Sequence, residues 1–163
     1  MFRLAWPNER KELFHKGNIT NPDLEMEGLL MLWLVMEEVC PKLRASYVVL
    51  FSDNSPTIGW VKHLVARGSF VAMQIVLALT LRFKKAGASP LTPLHIAGEE
   101  NSMTDIPSCS FGSNLSSFCK NDTELLNLFN KHFPLPNQAS WTVFIPSNAV
   151  IMKVISVLHM QHF

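Results

Sequence analysis

At 163 residues the chain suits one domain, or a domain with an appendage, and its 48% hydrophobic content suffices for a core and excludes wholesale disorder. A formal net charge of +1 excludes a protein that draws in polyanions through its charge as a whole, so phosphate contact has to come from local clusters. Charged residues, at 17%, fall below the usual share, which leaves apolar surface in want of a partner.

Residues 1–20 are expected to run extended, with Trp6-Pro7 and Lys16-Gly17-Asn18 as turn signals. No apolar segment typical of a secretory signal stands at the start. Asn21-Pro22 is predicted to open a helix, with Asn21 as the cap, Pro22 at the first helical position and Asp23 and Glu25 at the positive end of the dipole. That helix runs to about Val39, where Cys40-Pro41 stops it. Its centre, Leu29 to Met36, is apolar on every side and predicts burial on more than one face, against more protein than this chain supplies.

Ser46–Phe51 is a short apolar run rich in β-branched and aromatic residues, which predicts a buried parallel strand. Ser55-Pro56 then opens a helix over Thr57–Ala66, Arg67-Gly68-Ser69 breaks it, and Phe70–Lys85 forms a second helix ending at Ala86-Gly87. The apolar stretch Phe70–Leu81 is shorter than the roughly 20 residues a membrane span needs, so no membrane partner is expected. Leu91–Ile96 is a second strand, and a short helix begins near Ser102. Pro107 and the serine-rich stretch from Ser108 to Ser117 end the ordered pattern. Thr123–Lys131 and Ala149–Met160 are helix candidates in a tail expected to be loosely ordered. The order of elements predicts an α/β layer structure.

The three cysteines, Cys40, Cys109 and Cys119, have no metal-ligand spacing and suit reduced thiols inside the cell. Chemistry is expected outside the carboxyl ends of the strands, where Asp53 stands. Asp53 either caps the next helix or holds a cation. Glu25 and Asp105, near helix starts, either favour the dipoles or join Asp53 around divalent metal, where two Mg²⁺ ions about 3.5–4 Å apart need several carboxylates. Spacing leaves both readings open. Lys62, His63 and Arg67 follow Asp53, with Trp60 among them, while Arg82, Phe83, Lys84 and Lys85 form the densest basic cluster. Either set is a solvated helix face or a phosphate contact. His95 is read as a strand residue with its ring hydrogen-bonded, and Asn101 as a helix cap.

Three segments, in order, resemble the ribonuclease H domain of retroelement reverse transcriptases, particularly those of tyrosine-recombinase-type elements. Ile19 to Met26 resembles the segment carrying that family's helix glutamate, with Glu25 in its place. Leu50-Phe51-Ser52-Asp53-Asn54-Ser55 resembles its strand-end aspartate motif. His95 to Ser108 is similar to the pattern H-I-x-G-x-x-N-x-x-A-D-x-x-S-R and puts Asp105 at the last metal-binding aspartate. Thr104 replaces the alanine, and Cys109 replaces the arginine. The family's first hairpin, with its bridging aspartate, has no counterpart before Asp23.

The resemblance implies an incomplete ribonuclease H-like α/β fold, a mixed or parallel sheet flanked by helices. Residues 1–17 would be the remnant of the first hairpin, 18–112 the ribonuclease H-like domain and 113–163 a connector tail. It implies metal-dependent cleavage of the RNA strand of RNA–DNA hybrids, with Glu25, Asp53 and Asp105 holding Mg²⁺ or Mn²⁺. Lys62, Arg67, Arg82, Lys84 and Lys85 would contact nucleic acid. Partners would be the hybrid and the polymerase or recombinase domains of one intracellular polyprotein. The departures point to an inactive fragment, and the alternative is a non-catalytic interaction module or a decayed remnant.

Overall fold

The computed structural model describes residue 1 and residues 6–40, 47–109 and 121–159, excluding the side chains of 106–109, 155 and 157–159. The class is mixed α/β: α1 (Asn8–His15), α2 (Asn21–Val39), β1 (Val49–Ser52), α3 (Ser55–His63), α4 (Phe70–Ala86), β2 (Thr92–His95), α5 (Ser102–Cys109), α6 (Asp122–His132) and α7 (Asn148–His159). Among the described residues no helix is long and apolar enough to cross a membrane. The chain forms two compact units, residues 8–96 with 146–163 and residues 1–7 with 97–145. That division falls at Ile96, and the C-terminal helix belongs to the first unit.

The first unit is built around α2. Thr20 caps it in place of the expected Asn21. The Asp23 carboxylate accepts from the Thr20 amide and the Thr20 hydroxyl, each at 2.7 Å. The first of these bonds satisfies a backbone donor that the helix start leaves open. Nine α2 residues are buried, among them Met26, Leu30, Trp33 and Leu34. They pack against α4, α3 and α7. Most of the apolar helix therefore finds its cover within the chain, part of it from a segment expected to be a loose connector, while Leu32 stays exposed. Val150 and Val154 of α7 are buried, and spaced one turn apart they make the stripe that docks it.

From α4 come Ala72, Ile75, Val76, Leu79 and Phe83, a run at helical spacing. The Phe83 ring meets Trp33 edge-on, centroids 4.6 Å apart and planes at 80°. Ser69 caps α4 by accepting from the Ala72 amide at 3.0 Å. Gly87 ends it at φ 61°, a left-handed position that costs glycine nothing.

β1 and β2 pair in parallel, Val49 with Thr92 through Ser52 with His95. The pairing and both strand positions follow the sequence expectation, but the burial does not. Tyr47, Val49 and Phe51 are 86%, 47% and 58% exposed, and Leu94 on β2 is 45% exposed. A continuous apolar run was read as buried on both faces. Here the alternate side chains Val48, Leu50 and Ser52 turn inward and the other face is open.

Residues 8–15 are helical where an extended segment was expected. The Lys16–Glu12 pair, at 3.8 Å and one turn apart, supports that helix weakly. Its anchor is Arg10, which reaches Glu27 on α2. The second unit has a small aromatic core: Leu125 and Phe129 of α6 are buried among Met1, Leu128, Phe133 and Trp141. Trp141 Nε1 donates to the Phe133 carbonyl at 2.6 Å, and the amino group of Met1 donates to the Thr142 carbonyl at 2.8 Å.

Candidate functional site

The carboxyl end of β1 is the natural place to look, and its geometry is set by three polar residues in a row. Ser52 is buried, and its hydroxyl accepts from the Asn54 amide at 3.1 Å. Asn54 caps α3, its Oδ1 accepting from the Thr57 amide at 3.1 Å. Asp53 lies between them, exposed. Capping was the simpler role for Asp53, and the structure gives that role to Asn54. Among the described residues no donor or cation pairs with the Asp53 carboxylate.

Glu25 is exposed on α2, two residues after the first-turn acid, which is Asp23, and on a different face of the helix. Asp105 is exposed on α5, its amide donating to the Asn101 carbonyl at 3.1 Å. Both residues have interactions of their own. Asp105 belongs to the second compact unit, while Glu25 and Asp53 belong to the first. Among the described residues no three His, Cys, Asp or Glu side chains form a group that could hold a metal ion. Among the described residues, therefore, no two-metal centre is assembled.

The cations divide into two kinds. Lys62 and His63 at the end of α3, Arg67 in the following turn, and Lys84 and Lys85 in the last turn of α4 are exposed. Arg82 is committed: its guanidinium donates to Glu37 at 2.6 Å, and the same carboxylate accepts from Trp33 Nε1 at 2.8 Å. That pair fastens α4 to α2. Phe83, adjacent in sequence, is core, and Trp60 is half-buried. His95 is exposed at the end of β2, where a buried, bonded ring was expected.

Sequence reasoning missed the most elaborate polar cluster. Asp23 and Glu27 are buried on one face of α2. The Ser69 hydroxyl donates to the second oxygen of Asp23, so one carboxylate ties the starts of α2 and α4 together. Glu27 is fully buried, with Arg10 Nη2 3.3 Å away, yet neither of its oxygens has a hydrogen-bond partner. Burial pushes its carboxyl up to about 7, against the opposing pull of Arg10 and with a small push from Asp23. The signal was present: Thr20 and Asp23 have capping-box spacing, and Asp23, Glu27, Leu30 and Leu34 share a helical face. The cluster is a structural lock, because each charge is spent on another element of the same unit.

The fold thus defines a mixed α/β protein with a small parallel sheet and an exposed acid at a strand end. Comparison with known protein families, curated proteins and solved structures finds no match.

Proposed function

We propose that this chain is a ribonuclease H-like module of retroelement origin that binds nucleic acid inside the cell without hydrolysing it. One observation carries the reading. The parallel register sets Ser52 beside His95, so the strand-end motif around Asp53 and the start of the motif at His95-Ile96 lie at the same end of the sheet. That end is where ligands bind in open α/β sheets. The exposed cations Lys62, Arg67, Lys84 and Lys85 supply the sequence-independent attraction to an RNA–DNA hybrid. Neighbouring polymerase or recombinase domains would supply the rest of the binding surface. Mg²⁺ or Mn²⁺ enters only in the competing hydrolase reading, which requires Glu25, Asp53 and Asp105 to meet.

The test is fluorescence anisotropy with a labelled hybrid duplex, beside a cleavage assay with Mg²⁺ and with Mn²⁺. Binding that weakens with salt, and weakens further in Lys84→Glu/Lys85→Glu, is expected, with the duplex left intact. Absence of binding at low salt overturns the proposal. Cleavage that disappears in Asp53→Asn replaces it with the hydrolase.

A further inference from the structure

The two edges of the sheet are unlike. The Thr92 amide donates to the Val48 carbonyl at 2.9 Å and the Ile96 amide to the Ser52 carbonyl at 3.1 Å. Alternation along the strands therefore turns the backbone groups of Val49 and Phe51 away from β2, and those of Pro93 and His95 away from β1. Pro93 has no amide hydrogen, so the outer edge of β2 cannot continue a ladder there. The outer edge of β1 keeps its donors, and among the described residues β1 pairs with β2 alone. From Tyr47 to Ser52 it carries no charge and no proline, the usual devices that discourage pairing. Between α2 and the strand lies a shallow apolar groove whose lining includes Leu32, Met36, Val49, Leu50 and Leu91.

We propose that this edge joins a second copy of the chain, β1 against β1, antiparallel about a twofold axis at Leu50, giving a continuous sheet of order β2–β1–β1–β2. The choice of a copy rests on self-complementarity. In that register Val49 faces Phe51 of the second copy and Phe51 faces its Val49. All four have outward-turned backbone groups, so each pair exchanges both its bonds. Each is also an aromatic–β-branched pair of the kind that stabilises sheets. Leu50 meets Leu50, and no charge opposes a like charge. Tyr47, a hydroxyl donor 86% exposed, comes level with Asp53 of the other copy, a carboxylate with no described partner. A two-stranded sheet is marginal by itself, and doubling it removes the exposed ladder. This inference does not depend on nucleic-acid binding.

Sedimentation equilibrium of the full chain over a range of concentrations tests it. A monomer–dimer equilibrium is expected, with Val49→Lys and Phe51→Glu each about tenfold weaker in association, the equivalent of about 1.4 kcal/mol. The double variant Val49→Lys/Phe51→Glu sets each lysine opposite a glutamate and should recover association. That recovery also shows that the singles lose pairing and not folding. Three results overturn the proposal: a monomer at every concentration, a dimer indifferent to both single variants, or singles that weaken with no recovery in the double.

Discussion

The two compact units keep themselves folded by different means. The first wraps α2 on several sides and buries Trp33, Leu30, Leu34, Ile75 and Leu79 in one continuous layer of helices. Among its described residues the second buries Leu125 and Phe129 alone, with aromatic edges around them and backbone bonds that pin Met1 to the segment near Thr142. In the larger unit, apolar area is ample enough to carry buried carboxylates. In the smaller one, a single ring or a single hydrogen bond is a large share of the described core. Stability scales with buried area, and small cores are marginal for that reason.

Emptying each core separates the two units most directly. Trp33→Ala is expected to cost about 4 kcal/mol, and Phe129→Ala about as much, because each leaves a cavity lined by rings. Hydrogen exchange reads the outcome: protection falls across α2 and α4 in the first variant and across α6 in the second. Loss confined to a few amides near Trp33 would show that α2 is not the centre of its unit.

Glu27 sharpens the contrast through pH. Its carboxyl is raised from 4.5 to about 7 in the fold, so the folded state binds a proton more tightly than the unfolded chain does. The stabilisation is complete below about pH 4.5 and is lost as pH rises through 7. The shift corresponds to about 3 kcal/mol. Glu27→Gln should remove this slope, giving a protein more stable than the parent above pH 7. Denaturant unfolding at pH 5.5 and at pH 8.5 checks it, and equal differences at both values would place the ionised carboxylate in a better-solvated site.

Trp141→Phe tests the smaller unit more gently. It keeps the ring against Phe129 but loses the donor to the Phe133 carbonyl, at an expected cost of about 1 kcal/mol. The smallest effects concern the strand end. Asn54→Ala should cost about 1 kcal/mol through the lost cap, whereas Asp53→Ala should stay within about 0.5 kcal/mol. Thermal unfolding separates them, and a larger effect at Asp53 would mean that its carboxylate is engaged.

Much of the order of elements was legible in the chain. Asn21-Pro22, Ser55-Pro56, Ala86-Gly87 and the apolar runs at 46–51 and 91–96 place helix starts, a helix stop and two strands within a few residues of where they lie. Two misjudgements share a cause. Residues 8–15 hold few apolar side chains, and the helix there depends on Arg10 finding Glu27, a partner remote in sequence. The tail helix at 148–159 looked unattached because its stripe docks on α2 and α4, which a local pattern cannot name.

By itself the sequence determined that Asp53 follows a strand, that α2 is apolar all round and that the two strands lie parallel across a helical crossover. These are local or topological matters, fixed by caps, periodicity and the length of the connection. Only the tertiary structure decided that Asn54 caps α3 while Asp53 stays exposed, that Arg82 is spent on Glu37, and that α7 supplies the missing cover. It also decided that Asp105 sits in a different compact unit from Glu25 and Asp53. Side-chain roles depend on which groups meet in space, and spacing along a chain does not carry that information.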